Sequence, residues 1–137
     1  MGKHLRACVA VLSLAALWAA CGCAGPKWEY DPGLAFKHAA ETDRMVLVYY
    51  RTAVCPYSAK MEREVFTDPK VREALDEFVL LQRDFAVWRA EAERLGITGT
   101  PGFVVHRANG TVASPPAVGE MSAAEFRAFL AAAKLQK

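Results

Sequence analysis

The sequence lacks an apolar run long enough to form a membrane-spanning helix. Its longest apolar stretch, residues 7–20, contains one serine, whereas about 20 apolar residues are needed to cross a bilayer. Acidic residues are absent before Glu29, while Lys3 and Arg6 lie in the first ten positions. A positive start, a short apolar core and small residues behind it are typical of an export signal, which we place at residues 1–23.

The chain also has little excess charge. It contains 17 Lys and Arg and 15 Asp and Glu, and without the two basic residues of the expected signal the numbers are equal. A nucleic-acid-binding protein should carry a basic face, so no nucleic-acid partner is expected. With 137 residues, 53% of them hydrophobic and 23% charged, the composition predicts one globular domain and excludes a disordered or collagen-like chain.

Small residues surround the cysteines at the end of the expected signal. Ala19-Ala20 precede Cys21 and Gly22 precedes Cys23, which resembles a bacterial lipoprotein signal whose cysteine becomes lipid-modified. We expect Cys21 to carry the lipid, with Cys23 as the alternative site and ordinary signal cleavage as the alternative process. In each case we expect an exported domain on the periplasmic side of the cell envelope. The predicted organisation is a signal, a short tether and a folded domain over residues 1–23, 24–31 and 32–137.

Cysteine is scarce in the expected domain. Of four cysteines, Cys8 would leave with the signal and one of Cys21 and Cys23 would carry the lipid. Cys55 is then the only thiol of the domain and has no internal disulfide partner, unlike the cysteines of a disulfide-stapled secreted scaffold. A lone thiol in an oxidising compartment is expected to be either buried or used.

The remaining residues predict alternating helices and strands. Four segments have the residues of a typical helix start: Asp31-Pro32, Pro56, Asp68-Pro69 and the Ser122/Glu125 capping box. Residues 86–95 form a further predicted helix, in which Trp88 faces the core. Predicted strands cover residues 45–50 (buried on both faces), 78–82, 102–106 and 111–113, the last two forming a hairpin at Asn109-Gly110. This order predicts an α/β fold, with a mixed sheet and helices on both faces. Trp28 and Tyr30 are expected to pack the N-terminal segment onto the domain.

Cys55 lies where a buried strand gives way to a helix, with Pro56 at the first helical position. The free N–H groups and the dipole of a helix N-terminus stabilise a thiolate and lower its pKa, and Arg51 and Lys60 are expected to add positive charge. A thiolate is the nucleophile in disulfide exchange. The alternative is that Cys55 is simply a small buried apolar residue.

At these residues the chain resembles the thioredoxin superfamily, and most closely its small exported bacterial thioredoxin-like lipoproteins. Cys55-Pro56-Tyr57-Ser58 occupies the place of the C-x-x-C motif, with serine in place of the second cysteine. Gly96–Pro101 matches the segment that holds the family's cis-proline, and Pro101 follows Cys55 by 46 residues. The resemblance implies a thioredoxin-like fold. It implies catalytic roles for Cys55 and Ser58, and substrate binding by Pro56, Tyr57, Thr100 and Pro101.

The departures from the family pattern predict a monothiol site. Ser58 prevents a disulfide within the motif, Val54 replaces a common tryptophan, and Tyr49 replaces a buried aspartate. The leading hypothesis is thiol–disulfide exchange through Cys55, without a cofactor, on protein disulfides or glutathione mixed disulfides. An external thiol or a membrane-bound reductase would resolve the mixed disulfide.

Two other hypotheses use the same segment differently. A non-catalytic module would bind an extended peptide or a partner at the Pro101 groove and would not need the thiol. Thr52 and Cys55 also match the T-x-x-C pattern of peroxiredoxins, but Val48 replaces the proline of that family, so peroxidase activity is not expected. No metal site is predicted, because His38 and His106 lack ligands at suitable spacing.

Overall fold

The computed structural model describes residues 25–137. Within them lie five strands: β1 (Trp28–Glu29), β2 (Met45–Arg51), β3 (Phe78–Asp84), β4 (Gly102–His106) and β5 (Ala117–Val118). They also contain the helices α1 (Pro32–Thr42), α2 (Pro56–Lys60), α3 (Pro69–Leu75), α4 (Arg89–Arg94) and α5 (Ala123–Lys134), and a π-helical segment (Met61–Val65) that continues α2. No helix of this part of the chain is long and apolar enough to cross a membrane.

Three of the predicted helix starts are confirmed by capping bonds, and the fourth, at Pro56, is confirmed by the position of α2. Asp31 accepts the Leu34 N–H at 3.1 Å, and Asp68 accepts the N–H of Val71 at 3.0 Å. At the start of α5, Ser122 and Glu125 form the expected reciprocal capping box. These side chains satisfy backbone donors that a helix leaves unpaired at its first turn.

The strands form one mixed sheet in the order β1-β3-β2-β4-β5. The central strand β2 runs parallel to β3 and antiparallel to β4. Its alternating side chains fill two cores: Leu47 and Tyr49 pack towards α3 and α5, whereas Val46, Val48 and Tyr50 pack towards α1 and α4. The predicted α/β class and the strand buried on both faces are therefore confirmed.

The topology brings three chain segments to one edge of the sheet. Because β2 and β3 are parallel, their carboxyl ends lie side by side, and the backbone N–H of Phe85 reaches the Arg51 carbonyl at 2.8 Å. Because β4 is antiparallel to β2, it begins at this same edge, where Gly102 pairs with Tyr50. The segment before β4 therefore returns towards Cys55, which follows β2.

The predicted hairpin is only partly formed. Asn109-Gly110 does turn the chain, with Gly110 at φ +88°, but the returning segment pairs only through an isolated His106–Val112 bridge. The strand that completes the sheet is β5, which pairs with Gly102 and Phe103. The returning segment does not continue as a strand because it runs into Pro115-Pro116, and proline has no N–H to donate to a strand ladder.

Two aromatic predictions need correction. Trp28 does pack onto the domain, with its ring centroid 5.3 Å from that of Tyr49, but it lies in β1, within the segment expected to be a tether. Tyr30 is 67% exposed and does not pack inward. Trp88 precedes α4 and is 41% exposed, so it is not the core residue that the sequence predicts. Its ring lies under the Arg83 guanidinium at 3.7 Å instead, and this cation–π contact holds it at the surface.

Candidate functional site

Cys55 is the N-cap residue of α2. Its backbone is extended, its carbonyl accepts the Ala59 N–H at 3.1 Å, and its thiol makes no capping bond. Arg51 ends β2, and the Thr52–Cys55 turn connects strand and helix through a 3.3 Å hydrogen bond between the Cys55 N–H and the Thr52 carbonyl. The half-buried thiol therefore lies at the positive end of a helix, as the sequence predicts.

The segment before β4 supplies the second wall of the site. The Thr100–Pro101 peptide bond is cis, and the Cys55 Sγ donates to the Thr100 carbonyl at 3.3 Å. The following residue must be small, because a Cβ on Gly102 would lie 2.3 Å from the Ile97 side chain. The structure thus brings Thr100 and Pro101 to Cys55, which precedes Thr100 by 45 positions in the sequence.

Hydrogen bonding favours the thiolate of Cys55. Partial burial raises the thiol pKa, but the side chains of Ser58 and Thr100 and the N–H groups of Ser58 and Tyr57 outweigh it, so the net pKa of Cys55 is lowered. Ser58 is fully buried, and its hydroxyl has no hydrogen-bond partner among the described residues. That hydroxyl is available to donate to the sulfur once the thiol loses its proton.

The expected cationic residues contribute less than predicted. The Arg51 Nε lies 2.6 Å from the Glu62 carboxylate, and the Lys60 Nζ lies 3.3 Å from that of Glu120. Each positive charge is therefore neutralised locally by a carboxylate that is remote in sequence. Neutral donors around Cys55, rather than cations, lower its pKa.

Sequence reasoning missed a polar cluster beneath α2. The Tyr49 hydroxyl donates to Glu62 Oε1 at 3.1 Å and lies 3.5 Å from the Ser58 carbonyl, and Arg51 donates to the same Glu62 oxygen. Burial raises the pKa of Tyr49, so its hydroxyl remains a donor at neutral pH. The signal in the sequence was the spacing of Tyr49 and Arg51, which lie on the same face of a strand, but their partner could not be identified without the fold.

The surface beside Cys55 is apolar. Val54 is 90% exposed and Tyr57 is 56% exposed, and Pro56 between the thiol and Tyr57 is also exposed. Val118 in β5, which pairs with Gly102, adds a further exposed apolar side chain. The predicted substrate-binding residues Pro56 and Tyr57 therefore lie on an accessible apolar surface next to the thiol.

The two histidines considered as metal ligands lie away from this site. His38 is on α1, where its Nε2 is 3.0 Å from the Arg44 guanidinium. His106 ends β4, at the opposite edge from Pro101, and its Nδ1 is 3.0 Å from the Gly110 carbonyl. His106 is nearly buried, which the sequence did not indicate.

Residues 32–134 match the thioredoxin-like domain family. The chain belongs to this family. It is also 36% identical over 100 residues to the thiol:disulfide interchange protein DsbD of Ralstonia nicotianae, a match that covers 70% of this chain and 16% of that protein. The chain thus spans only about one sixth of the length of this curated relative.

Solved structures show the same fold. A thioredoxin from Thermus thermophilus is 28% identical, with a TM-score of 0.67, over 79% of this chain and 86% of that one. The C-terminal domain of Neisseria meningitidis DsbD, in its oxidised form, is 22% identical with a TM-score of 0.63, over 75% of this chain and 96% of that one. The predicted membership of the thioredoxin superfamily is confirmed. The signal and the two lipidation candidates, Cys21 and Cys23, lie outside the described residues.

Proposed function

We propose that the domain is an exported monothiol protein that carries out thiol–disulfide exchange through Cys55. The observation that carries the proposal is the placement of the Cys55 thiol at the start of α2, 3.3 Å from the carbonyl that precedes cis-Pro101. The Ser58 hydroxyl and backbone N–H groups stabilise the thiolate there. The match to a protein named thiol:disulfide interchange protein DsbD supports the same class of chemistry.

The reaction needs two exchanges. In the first, the Cys55 thiolate attacks one sulfur of a substrate disulfide; the new bond joins Cys55 to that sulfur, and the other sulfur leaves as a thiolate that takes up a proton. In the second, an external thiolate attacks the mixed disulfide and releases Cys55. The external thiolate attacks the substrate sulfur, so the new disulfide joins the external thiol to the substrate and Cys55 leaves as a thiolate; one disulfide has been exchanged for another. Full reduction of the substrate takes two external thiols, which supply one electron each and end joined as a disulfide.

The resolving thiol must come from outside the motif, because Ser58 cannot form a disulfide and residues 25–137 contain no cysteine besides Cys55. Suitable sources are a second thiol of the substrate, a small thiol such as glutathione, or a membrane-bound reductase. The exposed apolar residues Val54 and Tyr57 favour a protein substrate, since they offer contact area directly beside the sulfur.

The export signal suggests where this chemistry takes place. We infer that the domain lies on the periplasmic side of the cell envelope, anchored by a lipid on Cys21, or on Cys23 as the alternative. Disulfides persist in that compartment, so it contains substrates for a nucleophilic thiol. A protein held at the membrane would also meet a membrane-bound reductase without diffusing through the periplasm.

The test measures how the alkylation rate of Cys55 depends on pH. The full chain carrying Cys8→Ser, Cys21→Ser and Cys23→Ser has Cys55 as its one thiol, and the same chain with Cys55→Ser is the unlabelled control. We expect an apparent pKa below the ordinary value of about 8.5. The thiol should also form a mixed disulfide with an oxidised peptide that only an added thiol releases.

An ordinary or raised pKa, or labelling only after unfolding, would contradict the proposal. Cys55 would then be an inert residue on a non-catalytic thioredoxin-fold module that binds a peptide or a partner at the Pro101 groove. In that case Cys55→Ser would leave the function of the protein intact.

A further inference from the structure

The helix that carries Cys55 changes its hydrogen-bonding pattern after one turn. The Met61 N–H is shared between the carbonyls of Tyr57 and Ser58, and the Phe66 N–H bonds to the Met61 carbonyl five residues back at 2.9 Å. The bond from Phe66 to Met61 spans the π-helical segment, and such segments occur frequently at functional sites. Regular helical hydrogen bonds therefore support only the first turn of α2, and its orientation also depends on contacts with neighbouring side chains.

The Tyr49–Glu62–Arg51 cluster supplies such contacts. Tyr49 and Arg51 project from the same face of β2, and Glu62 lies in the π-helical segment. Glu62 accepts from Tyr49 at 3.1 Å and from Arg51 at 2.6 Å, and the Tyr49 hydroxyl also lies 3.5 Å from the Ser58 carbonyl. The cluster thus connects the central strand to both the first turn of α2 and its continuation.

Tyr49 is itself rigidly packed. Its side chain is fully buried, and its ring stacks on Phe103 with centroids 5.1 Å apart and an interplanar angle of 8°. The rings of Phe66 and Trp28 lie against it at 5.3 Å each. A side chain fixed in this way gives its hydroxyl a defined position from which to orient Ser58.

We propose that the Tyr49–Glu62–Arg51 cluster positions the first turn of α2 so that Ser58 points its donors at Cys55. The inference rests on the proposed function and names Tyr49 as a positioning residue, since it touches Ser58 rather than the sulfur. It follows because Ser58 contributes both its hydroxyl and its N–H to the thiolate, and Tyr49 contacts the carbonyl of that same residue.

The chain contains a matched control on the opposite face of β2. The Tyr50 hydroxyl donates to Glu91 at 2.6 Å, and Arg83 donates to the same carboxylate at 2.9 Å. Tyr50 is almost fully buried, as Tyr49 is. This second Tyr–Glu–Arg cluster connects the sheet to α4 instead of α2, so Tyr50→Phe removes an equivalent hydroxyl without touching the support of Cys55.

The experiment compares Tyr49→Phe and Tyr50→Phe in the full chain with Cys55 as its one thiol. For Tyr49→Phe we expect the alkylation rate at pH 7 to fall at least about threefold and the pH midpoint to rise by about 0.5, because Ser58 no longer aims its donors at the thiolate. For Tyr50→Phe we expect a rate within a factor of about two of the parent. The charged groups around α2, the Arg51–Glu62 and Lys60–Glu120 pairs, are the same in both variants.

The outcomes separate this inference from the proposed function. If the parent thiol has an ordinary pKa, the proposed function fails. If the parent thiol is activated but Tyr49→Phe and Tyr50→Phe react alike, the positioning role fails while the proposed function stands. Should Tyr49→Phe not fold in a urea titration, Glu62→Gln provides a second test, because it removes the carboxylate that Tyr49 and Arg51 share. Loss of this negative charge by itself favours the Cys55 thiolate, so slower alkylation would come from lost positioning, and a rate equal to or above that of the parent would overturn the positioning role.

Discussion

Ser58 is the residue that most distinguishes this site from a two-cysteine one. In the thiol form, Cys55 donates to the Thr100 carbonyl and the buried Ser58 hydroxyl has no partner among the described residues. In the thiolate form, the sulfur becomes an acceptor, and the hydroxyl can donate to it. Ionisation of Cys55 therefore satisfies a buried group that the thiol form leaves unpaired, which lowers the pKa of Cys55.

Ser58→Ala should separate reactivity from stability. Removing the hydroxyl should raise the pKa of Cys55 and slow its alkylation at pH 7 by about three- to tenfold. The free energy of unfolding should stay the same or rise by up to about 1 kcal/mol, because an unpaired buried hydroxyl is costly. The measurements are a pH series of alkylation rates and a urea titration. A variant that loses stability but keeps its reactivity would show that the hydroxyl has a structural role instead.

The local elements were predictable because their signals are local. Asp31, Asp68 and Ser122 cap helices through bonds to residues two or three positions away, and β2 is recognisable as a continuous apolar run. The pairing of Cys55 with Thr100 and Pro101 was expected only from the resemblance to thioredoxins. Physical patterning alone gives no reason for residues 45 positions apart to meet.

The elements that were missed depend on distant partners. The strands β1 and β5 have two residues each, too few to show an alternating pattern, and they exist because β3 and β4 offer free edges. Trp88 has the spacing of a core residue but lies under Arg83 instead. Arg51 and Lys60 were expected beside the thiolate, but each binds a carboxylate whose position only the fold determines.

At the level of elements, Glu91 connects the short helix α4 to the sheet. Burial raises the pKa of Glu91, but hydrogen bonds from Arg83 and Tyr50 outweigh this and lower it. A carboxylate with a lowered folded-state pKa contributes stability above its unfolded pKa of about 4.3 and loses it as the pH falls through the folded-state value. The Arg83 side chain is only 5% exposed, so loss of its partner leaves a buried cation.

Glu91→Gln should therefore destabilise the protein in a pH-dependent way. At pH 7 the free energy of unfolding should fall by about 1–3 kcal/mol, and the difference from the parent should narrow below about pH 4. Glu93→Gln is the control on the same helix: its pair with Arg89 is exposed at 3.9 Å and should change stability by less than about 0.5 kcal/mol. A Glu91→Gln effect of equal size at pH 3 and pH 7 would mean that the carboxylate charge is not responsible.

At the scale of the whole molecule, the sheet separates the N-terminal end of the described residues from the Cys55 thiol. β1 runs parallel to β3, so the chain enters beside the start of β3, where Pro26 and Lys27 line a cavity with Phe78. Cys55 lies at the opposite edge, beyond the carboxyl end of β2. Seven-residue strands at about 3.3 Å per residue put roughly 20 Å between the two edges. A lipid on Cys21 would thus tether the domain with Cys55 directed away from the attachment point.

This arrangement makes the lipid site testable independently of the thiol chemistry. In cells given an alkyne-tagged fatty acid, we expect the full chain to become labelled and to sediment with membranes. Cys21→Ala should abolish both signals, whereas Cys23→Ala should leave them intact; the reverse pattern would assign the lipid to Cys23. Because the described chain enters the fold across the sheet from the site, Cys21→Ala should leave the alkylation rate of Cys55 in the purified protein within a factor of about two. If neither substitution removed the label, both proposed lipid sites would be wrong, and a Cys55 rate that fell with Cys21→Ala would contradict the separation of tether and site.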